Sequence, residues 1–113
     1  MARTTVTAID PTIAGANLTY SNADQANGND VLFDRDLIVN AKNSNAATRD
    51  LTLQANGTKV NGITIPDVTV TIPANTGNIL IDDIPRDFFV QSDGKLQIDW
   101  TADTGVTFAV IKK

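Results

Sequence analysis

Apolar and polar residues alternate with a period of two along much of this chain. A period of two places successive side chains on opposite faces of a strand, whereas no window carries the i, i+3, i+4, i+7 spacing of an amphipathic helix. Segments of this kind are typical of half-buried antiparallel strands. The alternation is clearest at residues 68–72 (VTVTI), 96–100 (LQIDW) and 106–110 (VTFAV).

Shorter apolar runs predict further strands, and turn signals separate them. Asn56-Gly57, Asn61-Gly62 and Asp93-Gly94 are dipeptides that favour turns. Seven or eight short strands at this spacing predict one all-β domain over residues 1–113, an antiparallel β-sandwich or jelly roll. The further strands are expected at residues 31–33, 37–41, 51–55, 60–65 and 78–82, with less regular ones near 4–9 and 18–20.

Composition strengthens this prediction and excludes much chemistry. All 13 acidic residues are Asp, and the chain has 15 Thr and 11 Asn, residues that favour turns and strands over helix interiors. The chain contains no Cys and no His, which removes thiolate nucleophiles, Cys/His zinc sites and the usual proton-transfer side chain. A formal charge of −4 disfavours a surface that neutralises phosphates. We therefore predict a protein that is not an enzyme, uses no cofactor and binds no nucleic acid.

No apolar stretch approaches the roughly 20 residues that span a bilayer, and the first residues lack the apolar region of a signal peptide. The sequence therefore predicts no membrane partner. We expect the protein to stay where it is made, or to leave as part of something larger.

Two acidic pairs are the first candidates for chemistry. Asp34 and Asp36 lie two apart on a predicted strand, so both are expected on one face, and Asp82 is followed by Asp83. Paired carboxylates can act in glycoside cleavage or hold Ca²⁺. The chain has few aromatic residues to surround such a pair, so solvated carboxylates at strand ends and turns are the favoured interpretation.

The segment 24–30 (DQANGND) has some likeness to a calcium-binding loop. Its third and fifth positions are Ala26 and Gly28, which supply no side-chain oxygen, and no Glu closes the loop. No metal site is predicted there.

The aromatic residues give one core prediction and one surface prediction. Trp100 is in line with Leu96 and Ile98 on its strand, so we expect it in the core and not on a sugar-stacking platform. Phe88 and Phe89 cannot both point inward if they lie on a strand. We predict that Phe89 faces a partner.

Two further features predict contacts with partners. Residues 37–39 and 79–81 are apolar on both faces, so either a loop or a partner subunit covers the second face; in the latter case Ile38 and Leu80 contact that partner. Residues 1–11 have strand-forming side chains and few apolar anchors, which predicts an extended arm. Through Arg3, Thr4 and Val6 this arm is expected to pair with an edge on a neighbour.

The second part of the chain resembles small proteins of tailed bacteriophages that decorate or stabilise the capsid. The resemblance rests on residues 68–74 (VTVTIPA), 81–89 (IDDIPRDFF), 91–100 (QSDGKLQIDW) and 104–111 (TGVTFAVI). It implies a subunit of the virion surface that is made in the host cytoplasm. It also implies that this subunit binds the major capsid protein across capsomer junctions, as a homo-oligomer with a trimer preferred. Another virion component, such as a tail, neck or fibre-base subunit, and a carbohydrate-binding module remain as alternatives.

Overall fold

The structure is a computed structural model that describes residues 2–113, and the all-β prediction is confirmed. In that range it contains eleven strands and one helix of four residues. The elements are β1 (Thr4–Val6), β2 (Ser21–Asn22), β3 (Asn29–Leu32), β4 (Leu37–Asn43), β5 (Arg49–Leu53), β6 (Lys59–Val60), β7 (Ile63–Thr64), β8 (Val68–Ile72), β9 (Gly77–Ile81), α1 (Arg86–Phe89), β10 (Lys95–Trp100) and β11 (Val106–Lys112).

Nine of these strands form two sheets, and β6 with β7 forms a separate hairpin. The five-stranded sheet has the order β1-β3-β10-β5-β8, with β1 parallel to β3 and the other pairs antiparallel. The four-stranded sheet has the order β2-β11-β4-β9 and is antiparallel throughout. Because neighbours in each sheet are mostly distant in sequence, the pairing is predominantly non-local.

The two sheets enclose one core, which fits the predicted sandwich. Alternate residues of each central strand are buried, as a period of two requires. Trp100 of the five-stranded sheet packs against Phe108 of the four-stranded sheet, with ring centroids 5.0 Å apart. Trp100 is 5% exposed, so its predicted place in the core is confirmed. The other core residues of these two sheets include Val31, Leu51, Leu53, Leu96, Ile98, Leu37, Val39, Ala41, Val106 and Val110.

Segment 60–65 differs from its prediction. It is a hairpin and not one strand, because the chain reverses at Asn61-Gly62. Both residues have positive φ, 52° at Asn61 and 80° at Gly62, as a type I′ hairpin turn requires. Ile63 on this hairpin remains 70% exposed.

Phe88 and Phe89 lie on helix α1 and not on a strand, so the prediction of a partner-facing Phe89 is wrong. The helix follows Pro85, whose fixed φ is compatible with a helix start. One helical turn directs both rings toward the core, where Phe89 is 4% exposed and Phe88 packs half-buried. No helix in residues 2–113 has the length and apolar character to cross a membrane.

The predicted N-terminal arm pairs within its own chain. β1 lies along β3 of the five-stranded sheet. A few residues later, the N–H of Ile9 donates to the carbonyl oxygen of Val110 (2.7 Å), and the N–H of Lys112 donates to Ile9 (2.7 Å). The arm therefore crosses from one sheet to the other instead of extending to a neighbour; Met1 lies outside the described residues. Near 18–20, strand pairing begins only at Ser21.

Candidate interaction surface

Three isoleucines stand side by side on the outer face of the four-stranded sheet. Ile38 of β4 faces Ile111 of β11, and Ile111 forms a bridge with Ile9 of the N-terminal arm. All three are half-buried, and they lie on the side of the sheet opposite the buried Val39 and Val110. We call these three residues the isoleucine row. It places apolar surface on the face of the sheet that the core does not use.

Ion pairs surround one end of the isoleucine row. They join the residues that follow Ile9 and Ile111 to the segment before β4 and to the residue after β9. Polar and charged groups at the edge of an apolar patch are usual in protein–protein interfaces. The pairs are Arg35 Nη2–Asp10 Oδ1 (2.6 Å), Lys112 Nζ–Asp34 Oδ2 (3.2 Å) and Lys113 Nζ–Asp82 Oδ1 (3.0 Å).

These contacts engage Asp34 and Asp82, one residue of each acidic pair seen in the sequence. Asp34 and Asp36 lie in the bend between β3 and β4, so the prediction that they share one face of a strand is wrong. The hydrogen bond from Lys112 holds the pKa of Asp34 below its ordinary value. The backbone N–H of Asp83, followed by Lys113, does the same for the pKa of Asp82. Both carboxylates act as counter-ions at the surface.

Leu80 lies on the same outer face, on the edge strand β9, and it is 70% exposed. Its cross-strand neighbour Asn40 is 7% exposed and fully engaged. The amide of Asn40 donates to Asn78 Oδ1 (2.6 Å) and to the carbonyl of Ile79 (2.9 Å), and it accepts from the hydroxyl of Tyr20 (2.5 Å). Two of these bonds join β9 to β4 in addition to the backbone pairing.

The loop between Ile9 and β2 carries an apolar residue that sequence reasoning missed. Ile13 is fully exposed, at a turn closed by a hydrogen bond from the N–H of Gly15 to the carbonyl of Thr12 (2.9 Å). Leu18, further along this loop, is 50% exposed. The available signal was two large aliphatic residues within a stretch that has no strand alternation.

Arg3, Thr4 and Val6, predicted as partner contacts, instead attach the arm to its own domain. Arg3 Nη1 forms an ion pair with Asp99 Oδ1 at 2.6 Å, and the Arg3 side chain is 20% exposed. The hydroxyl of Thr4 donates to the carboxylate of Asp24. Val6 packs against the core. Of the six predicted contacts, Ile38 and Leu80 are the ones with apolar side chains on an outer face of the structure.

The calcium-like loop is closed by its own hydrogen bonds. The carboxylate of Asp24 accepts bonds from the Thr4 hydroxyl and from the backbone N–H and side-chain amide of Asn27. These donors hold the pKa of Asp24 below its ordinary value, with Thr4 the largest cause. In residues 2–113, no three or more acidic side chains form a group that could hold a metal ion.

A polar cleft of about 530 Å³ opens at the end of the four-stranded sheet where β11 begins. No aromatic ring lines it, and Lys42 and Asp103 are its charged side chains. With Trp100 and Phe89 both buried, neither ring is placed to stack on a sugar. The lining consists of Asn22, Ala23, Lys42, Ser44, Asp103, Gly105, Val106 and Thr107.

The fold and this surface define an all-β sandwich with an apolar outer row on one sheet. No protein-family model, no curated protein and no solved structure matches the chain.

Proposed function

We propose that this protein is a structural subunit of a virion that decorates the capsid of a tailed bacteriophage and stabilises it by binding across capsomer junctions. The observation that carries the proposal is the isoleucine row, which has ion pairs at one end. Its partner in this proposal is the major capsid protein.

The energetics favour docking through the isoleucine row. Burying apolar surface is worth about 25 cal/mol per Å², and a rigid partner loses little entropy when it binds. Ile9, Ile38 and Ile111 are fixed by strand pairing, and ion pairs hold Asp10 and Lys113 close to them. A ligand surface that closes over the row gains burial without ordering a flexible segment.

The resemblance to decoration proteins supports a capsid as the partner. Three of its four segments contain β8, β10 and all but the last residue of β11, so they contribute strands to both sheets, and the segment 81–89 runs from the last residue of β9 through α1. Ile111 belongs to the last of these segments. A tail, neck or fibre-base subunit of similar fold could bind through the same row, and the experiment below separates that alternative by the choice of particle.

Co-sedimentation with empty capsids tests the proposal. Wild-type protein is expected to pellet with capsids at a fixed, saturable ratio to the major capsid protein. It should stay in the supernatant when mixed with isolated tails. Ile38→Lys should weaken capsid binding by at least tenfold, because it places an ammonium group in the centre of the row. Ile63→Lys, on the hairpin β6–β7, is the matched control and should bind as wild type does.

Two outcomes would contradict the proposal. Wild-type protein that stays in the supernatant with capsids but pellets with tails would assign it to another virion component. Equal capsid binding by wild type and a folded Ile38→Lys variant would exclude the isoleucine row as the docking face.

A further inference from the structure

Strand β9 is an open sheet edge. On one side of the sandwich, β1 covers the edge of β3, while β2 and Ile9 lie along β11. On the other side the two sheets end at β8 and β9, and the described residues supply no further strand to either. The residues of β9, Gly77-Asn78-Ile79-Leu80-Ile81, include no charge and no Pro, the two devices that usually protect an edge from pairing.

β8 is the better protected of these two edges. Pro66 and Pro73 stand just outside it, and Pro cannot donate to a sheet ladder. Its outward hydroxyls are engaged, since Thr69 bonds to Thr52 and Thr71 bonds to Asp50. β9 instead presents the 70% exposed side chain of Leu80.

We propose that β9 pairs with β9 of a second copy of this chain, antiparallel and about a two-fold axis at Leu80. In this register Leu80 faces Leu80 of the second copy on the outer face, and Ile79 faces Ile81 on the inner face. The most exposed apolar side chain of the strand then becomes covered on both copies at once. Opposed apolar pairs of this kind are the units that stabilise antiparallel sheets.

Polar complementarity also favours a second copy as the occupant. Asp82, one residue beyond β9, faces the amide of Asn78 of the second copy in this register. Its charge is already balanced by Lys113 at 3.0 Å, so pairing brings no like charges together. A strand of another protein with charged residues opposite Leu80 and Ile79 would place those charges against apolar side chains that offer no counter-charge.

The result is a two-fold dimer with one continuous eight-stranded sheet. Such an interface is self-complementary and closed, so it ends at two copies and does not grow into a fibre. It differs from the threefold ring expected from the resemblance to decoration proteins. The axis runs perpendicular to the sheet, so the isoleucine rows of both copies lie on the same side. The pairing is independent of the proposed function and is measured without capsids.

Sedimentation equilibrium of the free protein tests the proposal. Wild type is expected to be a dimer at micromolar concentration. Leu80→Lys places two ammonium groups face to face and should yield a monomer. Ile63→Lys is the control, since Ile63 has the same 70% exposure on the hairpin and should leave the dimer intact.

A single cysteine tests the register directly, because the chain has no Cys of its own. Directly opposed residues of an antiparallel pair have Cα atoms about 4.5–5.5 Å apart, within the range that a disulfide spans. Leu80→Cys should therefore form a disulfide-linked dimer under mild oxidation, and Ile63→Cys should not. A monomeric or trimeric wild type, a dimeric Leu80→Lys variant, or equal cross-linking at both positions would overturn the proposal.

Discussion

The indole N–H of Trp100 donates a hydrogen bond to Oδ1 of Asn29 across 2.8 Å, and the same amide secures the N-terminal arm. Asn29 is fully buried; its Nδ2 donates to the carbonyl of Thr4 at 3.1 Å, and its Oδ1 also accepts from the N–H of Asp24 at 2.9 Å. One side chain therefore connects the core to β1 and to the loop that precedes β3.

Substitutions at these two positions should lower the free energy of unfolding by different mechanisms. Trp100→Ala should cost about 3–5 kcal/mol because it opens a cavity against Phe108. Asn29→Ala should cost at least about 1–3 kcal/mol, because the buried indole N–H loses its acceptor. Denaturant unfolding measures both. An unchanged midpoint for Trp100→Ala would contradict its place in the core.

A side chain at Gly28 should displace the Arg3–Asp99 ion pair. The φ of Gly28 is +74°, and an added Cβ would collide with Arg3 Nη1 and lie 2.6 Å from Asp99 Oδ1. Gly57 is the matched control, with φ +86° and no atom within 4 Å of an added Cβ. Gly57→Ala should cost about 1–2 kcal/mol for the left-handed backbone, and Gly28→Ala should cost more.

A double-mutant cycle identifies the origin of the excess. Arg3→Ala removes the colliding guanidinium, so the two substitutions should be non-additive, as expected for groups in contact. Equal costs for Gly28→Ala and Gly57→Ala would show that the ion pair does not constrain this position.

Removing residues 2–10 should destabilise the domain instead of merely shortening an arm. The deletion uncovers β3 and breaks the hydrogen bonds between Ile9 and β11. Thermal unfolding should shift to lower temperature, and amide hydrogen exchange should accelerate in both β3 and β11. A truncated protein with the thermal midpoint and exchange rates of the full chain would show that the arm does not stabilise the two sheets.

The bond from Thr4 to Asp24 predicts a specific response to acid. The pKa of Asp24 lies below its ordinary value of 3.8, chiefly because the Thr4 hydroxyl donates to it and secondly because of the Asn27 N–H. Since the folded value is the lower one, this carboxylate stabilises the fold fully above pH 3.8 and loses that contribution as the pH falls through the folded value. Thr4→Val should raise the pKa of Asp24 towards 3.8.

Carboxyl NMR titration of wild type and Thr4→Val measures that shift. The variant should also show a smaller loss of stability in acid. An unchanged titration of Asp24 in Thr4→Val would exclude the hydroxyl as the cause.

Strands with strict alternation could be predicted from the sequence, and those without it could not. β8 coincides with its predicted residues, and β10 and β11 differ only at their ends, because one buried face fixes the period of two. Helix α1 has four residues, too few for a helical period to show. The hairpin at Asn61-Gly62 shows a different error. The apolar residues on both sides predict one strand over residues 60–65, although Asn61-Gly62 is a strong turn signal.

The candidate surface could be predicted in part for a similar reason. Ile38 and Leu80 were found because apolar residues on both faces of a strand are visible locally. The isoleucine row also needs Ile9 and Ile111, which come together only through pairing between distant segments. The ion pair of Arg3 with Asp99 could not be predicted, because Asp99 lies near the other end of the chain and no local pattern reports such a pair.

The position of Ile9 beside Ile111 also constrains how the chain acquires this structure. These two residues come from nearly opposite ends of the sequence, so their bridge closes a loop that contains almost the whole domain. Closing long loops is entropically unfavourable before other contacts form, and proteins dominated by distant pairings fold on a scale of about milliseconds to seconds. The arm should therefore dock late in refolding, and its hydrogen bonds to β11 should gain protection after those between β4 and β11.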